Sequence, residues 1–282
     1  MKFKECGGAP ENHIYFEWNI TNYCNYDCYY CSVKKTMNDD PIKNHQTESI
    51  NLVVARLKMV KFPFTVDLAG GEPTLHKQFQ YILDELHKIN NCKTISISTN
   101  FTTKFNVDMP KLDIGISYHP EYHKHYMKKI DIIKSVKNPT INVILTDKPE
   151  WWDNSLEFIE AVGDYVVTIL HGTDDNYKPK YGPEFFNKFN DNFQYTRNNP
   201  INLFKYDDKL LTHDEIITQG LHKLKGISCD SYYYSIDIDG NFTRICTGDK
   251  IGLGLDGLDT TIICPHEICN CESRLLLNKR WI

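Results

Sequence analysis

The sequence predicts an α/β fold in which a parallel sheet curls into a barrel or part of one, followed by a small cysteine-rich module. Apolar runs alternate with segments of helical spacing up to residue 171, a polar and proline-interrupted stretch follows, and cysteines crowd the last part of the chain. Alternating strands and helices are typical of parallel sheets. We therefore divide the chain into a barrel part (1–171), a connecting or substrate-covering segment (172–224) and a cysteine-rich module (225–282).

Six candidate strands carry the predicted sheet. Each is a short run rich in β-branched residues and bounded by polar residues, glycine or proline. They span residues 14–20, 64–69, 94–99, 112–117, 141–146 and 165–170. Segments with helical spacing lie between most of them, at residues 48–60, 76–89, 122–136 and 154–162. In the last module, two alternating runs around Asp239 and Gly240 predict a β-hairpin.

Composition narrows the class of protein. A chain of 282 residues with 41% hydrophobic content can bury a sizeable core. The net charge of -5 provides no global basic field for a phosphate backbone, which disfavours nucleic acid as a partner and favours a small-molecule or peptide substrate. No run approaches the roughly 20 apolar residues of a membrane span, and the N-terminus lacks the pattern of a secretory signal. We expect a cytoplasmic protein that does not enter the membrane.

Ten cysteines in such a chain indicate metal ligation before disulfides, because reducing compartments keep thiols free. Three of them fall within residues 24–31 and five within residues 229–271. A disulfide framework would not explain why the cysteines fall into two separate groups. Two separate metal sites would explain it.

The first group has the spacing CxxxCxxC, formed by Cys24, Cys28 and Cys31 in the loop after the first strand. A 4Fe-4S cluster is usually held by four thiolates, so three local cysteines leave one iron open to a substrate or cosubstrate. The alternative is structural zinc, which needs a fourth ligand that His13 or Cys6 would have to supply.

A second motif follows the second strand, where Gly70, Gly71, Glu72 and Pro73 form GGEP. Alone, a double glycine after a strand indicates only a turn. Ligands of parallel α/β folds, however, bind at the carboxyl ends of the strands, and both motifs are predicted at that edge.

Together, CxxxCxxC after the first strand and GGEP after the second resemble the radical S-adenosylmethionine (SAM) superfamily, over roughly residues 14–171. The resemblance implies a partial (β/α)6 barrel whose 4Fe-4S cluster is ligated by Cys24, Cys28 and Cys31. The methionine end of SAM would chelate the open iron. Reduction by a flavodoxin- or ferredoxin-type donor would cleave SAM to methionine and a 5'-deoxyadenosyl radical, which abstracts a hydrogen atom from the substrate.

The same resemblance implies positions around SAM. Tyr30, before the last cysteine, would lie by the adenine, and the GGEP segment would receive the methionine amino group. Polar strand ends would lie near the ribose and carboxylate, and an apolar pair would pack on the adenine. For Ser117 and the apolar pair, ordinary strand-end polarity or core packing is the alternative. These further positions are Ser98, Thr99, Asn100, Ser117, Ile144 and Leu145.

The second cysteine group comprises Cys229, Cys246, Cys264, Cys269 and Cys271. A hairpin between two cysteines followed by a close pair resembles the auxiliary-cluster modules called SPASM and Twitch. Because the full SPASM pattern normally uses seven cysteines, we favour the shortened form with one auxiliary 4Fe-4S cluster. One cysteine is then surplus, and a zinc knuckle is the alternative.

We expect an oxidoreductase-type radical SAM enzyme acting on a small polar substrate or a peptide, with the auxiliary cluster accepting an electron. Alternatives within the superfamily are peptide crosslinking or epimerisation and nucleoside modification. From another class, the chain could be a non-catalytic iron-sulfur or zinc-binding protein. Three histidines after the fourth strand, His119, His123 and His125, indicate a solvated helix, although His119 is near enough to that strand to approach the site.

Overall fold

The computed structural model describes about two thirds of the chain, including the three cysteines of the cysteine loop and most of the predicted barrel. The described residues are 4–5, 13–31, 47–163, 166–169, 182–185, 188–189, 204–206, 209–211, 219–220, 225–226, 228–229, 232–252, 255, 258, 262–265 and 279–280.

The strands within these residues run in chain order as β1 (Lys4–Glu5), β2 (Ile14–Thr21), β3 (Phe64–Gly70), β4 (Cys92–Thr99), β5 (Leu112–Tyr118), β6 (Thr140–Leu145), β7 (Val166–Ile169), β8 (Phe204–Tyr206), β9 (Lys209–Leu211), β10 (Ser228–Cys229), β11 (Tyr233–Ile236), β12 (Phe242–Arg244), β13 (Lys250–Ile251), β14 (Ile262–Ile263) and β15 (Lys279–Arg280). The α-helices with bounds in the described part of the chain are α1 (Thr47–Met59), α2 (Phe79–Lys88), α3 (His123–Met127), α4 (Ile130–Ser135) and α5 (Trp152–Val162). Three 3-10 turns, Pro73–Leu75, Pro120–Tyr122 and Pro149–Trp151, each begin at a proline, whose fixed φ suits a first helical position.

The main sheet is mostly parallel and has the strand order β13-β12-β11-β2-β3-β4-β5-β6-β7. Strands β2 to β7 are parallel neighbours in chain order, and they confirm the six predicted strands. Two three-stranded sheets, β1-β8-β9 and β14-β10-β15, complete the described strands. The α/β fold with a mostly parallel sheet is therefore as predicted.

The helix predicted at 122–136 is instead two helices, α3 and α4. Lys129 lies between them, and its Nζ donates to the carbonyl oxygens of Phe101 at 2.9 Å and Thr102 at 2.7 Å. Phe101 has a φ of 55°, a left-handed conformation that a bulky residue seldom adopts. Lys129, at the break between the two helices, therefore holds the loop after β4 in place through these two hydrogen bonds.

The two faces of the sheet differ sharply. One face is hydrophobic and buried beneath the helices, with side chains such as Trp18, Leu68 and Ile97 in the core. Successive side chains along each strand alternate between the two faces, and those on the opposite face are mostly polar and only partly buried. Strand pairing aligns one row across it: Ser235, Glu17, Asp67, Ser96 and Asp113.

The hairpin predicted around Asp239 and Gly240 is confirmed as β11 and β12, and β11 pairs in parallel with β2. Arg56 of α1 fastens it. Its guanidinium donates to the carbonyls of Gly240, Ile251 and Gly252 at 3.2, 3.2 and 2.7 Å, and lies 3.9 Å from the Phe242 ring centroid. The hairpin therefore extends the main sheet beyond β2.

Among the helices of the described residues, none is long and apolar enough to cross a membrane.

Candidate cluster and cofactor site

The glycine pair after β3 joins two strand ends. Gly71 N–H donates to Thr21 O at 2.9 Å, and Glu72 N–H donates to Tyr23 O at 2.8 Å. A Cβ on Gly70 would lie 2.1 Å from Thr21 O, and one on Gly71 would lie 2.3 Å from Tyr23 O. Gly70 also has a φ of 135°. Glycine is therefore required here because the backbone of the cysteine loop passes directly against the segment.

The three cysteines of the loop lie within eight residues of chain, and Cys31 N–H donates to Cys28 O at 3.1 Å. Burial raises the pKa of Cys24 to about 11, and the nearby Cys31 adds to the rise. Burial also raises the pKa of Cys28, to which Glu121, Cys24 and Cys31 contribute. Thiols in this setting stay protonated unless a cation compensates the thiolate charge, which is what ligated iron provides. The donor set fits an iron-sulfur cluster.

The spacing of these thiols bears on the zinc alternative. Within the part of the chain that the structure describes, no three His, Cys, Asp or Glu side chains are spaced to hold a single metal ion. His13, one suggested fourth ligand, instead places Nε2 2.9 Å from Thr65 Oγ1, and Cys6 lies outside the described residues. In a 4Fe-4S cluster each thiolate would bind a different iron, so the three cysteines would share a cluster and not a single ion.

The segment after β5 forms a wall against the cysteine loop. Tyr26 and Tyr122 stack with ring centroids 3.6 Å apart and planes at 4°, and Asp27 N–H donates to Tyr122 Oη at 2.8 Å. Such an aromatic pair contributes about 0.5 to 1.5 kcal/mol beyond its buried area. These contacts fix the middle of the loop against the 3-10 turn that begins at Pro120.

His119, Tyr30 and Glu121 connect the same wall to a cysteine. His119 Nδ1 lies 2.8 Å from Tyr30 Oη and 3.4 Å from Cys28 Sγ, and Tyr30 Oη–H donates to Glu121 Oε2 at 3.1 Å. Burial lowers the pKa of His119 to about 4 and raises the pKa of Glu121. Tyr30 is buried against the His119 ring, with the two planes at 10°.

Glu72 is enclosed at the ends of β3 and β4. Its Oε1 accepts from Thr74 N at 3.1 Å, from Thr74 Oγ1 at 2.5 Å and from Thr99 Oγ1 at 2.6 Å, while Oε2 accepts from Asn100 N at 2.6 Å. Glu72 has only 1% of its surface exposed. This burial raises the pKa of the carboxyl, although the four hydrogen-bond donors act to lower it. The carboxylate thus binds two strand ends together, while Pro73 begins the turn that brings Thr74 to it.

The polar residues at the end of β4 face in different directions. Ser98 is exposed, Thr99 is turned inward to Glu72, and Asn100 extends toward the cysteine loop. Asn100 Nδ2 donates to Asn25 Oδ1 at 3.0 Å and lies 3.9 Å from Cys24 Sγ. Asn100 therefore lies between Glu72 and the first cysteine.

The candidate positions on β5 and β6 also separate by face. Ser117 pairs with Asn142, so Ile144, two residues further on, shares the partly open face with Ser117. Leu145 is 1% exposed and belongs to the hydrophobic core. Of the apolar pair, only Ile144 thus lies on the partly open face.

Sequence reasoning missed several residues of the site: Thr21, Asn25, Thr74, Glu121 and Tyr122. Their contacts with the motifs join segments as much as 95 residues apart. The available signal was position alone, because Glu121 and Tyr122 follow a strand end just as the GGEP motif does.

The second cysteine group is described in part. Cys246 and Cys264 are buried, and Cys229 lies on β10, where it pairs with Ile262 two residues before Cys264. This register brings the backbone of Cys229 beside the strand that leads to Cys264. Cys269 and Cys271 lie outside the described residues, as does most of the predicted connecting segment.

The fold is shared with solved structures of proteins bound to S-adenosylmethionine. Streptococcus suis SuiB bound to S-adenosylmethionine superposes with a TM-score of 0.55 at 14% identity, covering 87% of this chain and 64% of that one. The structure of anSMEcpe with bound AdoMet gives a TM-score of 0.56 at 15% identity, covering 86% of this chain and 78% of that one.

Sequence comparison finds a family match for the region that contains the CxxxCxxC and GGEP motifs. Residues 18–113 match the Radical SAM superfamily, so a radical SAM superfamily domain lies in this part of the chain. The human protein "Molybdenum cofactor biosynthesis protein 1" is 30% identical over 88 residues, which are 31% of this chain and 14% of that protein. The "GTP 3',8-cyclase" of Actinobacillus pleuropneumoniae serotype 3 (strain JL03) is 30% identical over 94 residues, 31% of this chain and 26% of that enzyme. The chain thus spans about a quarter or less of these relatives.

Proposed function

We propose that this protein is a radical SAM enzyme that cleaves SAM reductively and abstracts a hydrogen atom from a small polar substrate. The observation that carries the proposal is that Cys24, Cys28 and Cys31 share one loop, whose backbone is hydrogen-bonded to the GGE segment. This site lies at the carboxyl ends of parallel strands, within the region that matches the superfamily.

Cys24, Cys28 and Cys31 would hold a 4Fe-4S cluster, which, when bound, supplies the electron that cleaves SAM. The GGE segment would bind the methionine amino group. Because the Glu72 carboxylate is already enclosed by four hydrogen bonds, we assign that contact to backbone carbonyls of residues 70–72. Glu72 then acts by fixing their position.

The other proposed SAM contacts are assigned from the positions of residues at the strand ends. Ser98, Asn100 and Ser117 end neighbouring strands, where they can reach the ribose and carboxylate. Ile144 would pack on the adenine from the partly open face, and Tyr30 would close the other side. An electron donor of the flavodoxin or ferredoxin type is the proposed partner, and the cytoplasm, which keeps thiols reduced, is the proposed compartment.

The polar face of the sheet supports a polar substrate. Glu17, Asp67 and Asp113 lie in one row, and Tyr233 Oη–H donates to Glu17 Oε2 at 2.6 Å. Carboxylates repel phosphate groups, so this row disfavours a triphosphate and favours a neutral or amine-bearing molecule. The proposal therefore places oxidation of such a substrate ahead of the nucleotide cyclisation named for one relative, and ahead of peptide modification.

A second cluster in the C-terminal part belongs to the same proposal. The pairing of β10 with β14 near Cys229 and Cys264, and the burial of Cys246, support a shared ligand site. Cys269 and Cys271 would supply the remaining thiolates. We propose that this SPASM- or Twitch-like site holds one 4Fe-4S cluster and accepts the second electron of an oxidation.

Two measurements test the function. Anaerobically reconstituted protein with dithionite and SAM should release 5'-deoxyadenosine, which a structural zinc protein or an electron carrier cannot do. Metal analysis should give about eight irons per chain and no stoichiometric zinc. Stoichiometric zinc without 5'-deoxyadenosine would overturn the proposal.

The substrate class is tested separately. Supplying GTP to the active protein should not increase the consumption of SAM, whereas polar amines should be screened for products that have lost two hydrogens. A GTP-dependent cyclised product would replace oxidation with the chemistry named for the relative. Glu17→Gln should leave 5'-deoxyadenosine formation intact and weaken turnover of an amine-bearing substrate.

A further inference from the structure

His119 is held rigidly beside the cysteine loop. It directly follows β5, and its extended backbone (φ -111°, ψ 114°) precedes the turn that begins at Pro120. Its ring lies parallel to Tyr30 and perpendicular to Tyr26, with centroids at 6.0 Å and 5.7 Å. Two aromatic rings and a proline turn therefore determine where its nitrogens point.

The hydrogen bonds around Tyr30 determine which atom of the His119 ring carries the proton. Tyr30 has one hydroxyl hydrogen, and it is donated to Glu121 Oε2 at 3.1 Å. The 2.8 Å contact between Tyr30 Oη and His119 Nδ1 then needs its hydrogen from the imidazole. With the Tyr30 hydroxyl donated to Glu121, we assign the proton to Nδ1, whose hydrogen lies between Tyr30 Oη at 2.8 Å and Cys28 Sγ at 3.4 Å.

We propose that His119 shares this Nδ1–H between Tyr30 Oη and the Cys28 thiolate and thereby raises the reduction potential of the cluster that Cys28 would hold. This inference rests on the proposed function. Hydrogen bonds to the cysteine sulfurs are one of the factors that set cluster potentials. Since reduction adds negative charge, a donor aimed at a ligating sulfur stabilises the reduced cluster more than the oxidised one. His119 is in this sense a positioning residue, with Tyr30 and Glu121 fixing its tautomer.

Three variants separate this role from a packing role. His119→Leu removes the donor, whereas His119→Asn keeps an N–H near the position of Nδ1. His123→Gln is the matched control, because His123 lies on the same segment but contacts Tyr118 Oη and Glu157 instead of a cysteine. The readout is a potentiometric titration followed by EPR of the cluster whose spectrum changes when SAM is added.

At a fixed potential, His119→Leu should lower the ratio of reduced to oxidised cluster by up to about tenfold, the equivalent of one hydrogen bond. His119→Asn should recover most of that loss, and His123→Gln should match the unmodified protein. An unchanged potential in His119→Leu with a full cluster would overturn the proposal.

A measurement on the unmodified protein keeps the test decisive if His119→Leu fails to assemble a cluster. Protein labelled with 15N-histidine should show hyperfine coupling of one histidine nitrogen to the reduced cluster, and His119→Asn should lose it. Absence of that coupling in the unmodified protein overturns the inference. If the unmodified protein forms no SAM-responsive cluster at all, it is the proposed function that fails.

Discussion

The two cysteine groups are built in different ways. Cys24, Cys28 and Cys31 lie in one short loop, which is fixed by backbone bonds to the GGE segment and by tyrosine stacking. Cys229, Cys246 and Cys264 come from separate segments, and the hairpin near them is held to the main sheet by β2 and Arg56. A local site depends on the fit of one loop, whereas a dispersed site depends on how strands dock.

The largest effect is expected at the glycine that touches the cysteine loop. Gly71→Ala places a Cβ 2.3 Å from Tyr23 O, so the backbone must move. We expect a loss of about 3 kcal/mol or more in the free energy of unfolding, with loss of the SAM-cleaving cluster. Urea unfolding and iron analysis measure both.

Gly163→Ala is the control for this change. Gly163 follows α5 with φ 82° and ψ -58°, and a Cβ added to it would meet nothing within 4 Å, so Ala there adds only backbone strain, about 1 to 3 kcal/mol. This variant should keep its full iron content. Equal iron loss in the two variants would contradict the view that close loop contact is what Gly71 provides.

A smaller effect, confined to the other region, is expected at Arg56. Arg56→Met leaves three carbonyls without their charged donor and should cost about 2 to 3 kcal/mol. Hydrogen exchange should accelerate in residues 233–251 and remain slow around Cys24. Lys58→Met on the same helix removes an exposed ion pair with Glu85 and should change little. Faster exchange in the cysteine loop of Arg56→Met would contradict the independence of the two regions.

The pH dependence gives the smallest expected effect. Burial raises the pKa of Glu72 above its ordinary 4.5, so its contribution to stability is complete below about pH 4.5 and is lost as pH rises through the folded-state value. Glu72→Gln removes this titration, and its Tm should fall less than that of the unmodified protein as pH rises above 4.5.

Glu85 is the comparison for Glu72, because its pKa is shifted in the opposite direction. Lys58 and Lys88 lower the pKa of this partly exposed carboxyl to about 2, so its contribution to stability is present above pH 4.5 and is lost as pH falls toward 2. Glu85→Gln should leave the change of Tm above pH 4.5 as it was. Equal pH profiles of Glu72→Gln and the unmodified protein would show that Glu72 does not titrate in this range.

Sequence alone predicted what is local. The six strands, the hairpin, the cysteine loop and the position of GGEP all follow from short patterns, and each was found where it was expected. Strand parity also carried unused information, because the alternation of side chains along a strand is enough to place Ile144 and Leu145 on opposite faces.

What sequence did not predict depends on contacts between distant segments. The wall formed by His119, Glu121 and Tyr122 meets the cysteine loop across about ninety residues of chain. The glycine pair alone indicated only a turn, whereas the structure shows the backbone of another loop lying directly against it. Neither the segment of residues 119–122 nor the backbone of residues 21–23 carries a sequence pattern that predicts these contacts.

The most direct test of the account compares the two cysteine groups in one assay. Replacing Cys24, Cys28 and Cys31 together with Ala should abolish 5'-deoxyadenosine formation and leave about four irons per chain. Cys229→Ala with Cys246→Ala should still cleave SAM, slowly, while losing turnover of an oxidisable substrate. If the triple variant still forms 5'-deoxyadenosine, the Cys24 loop does not hold the SAM-cleaving cluster and the central claim is wrong.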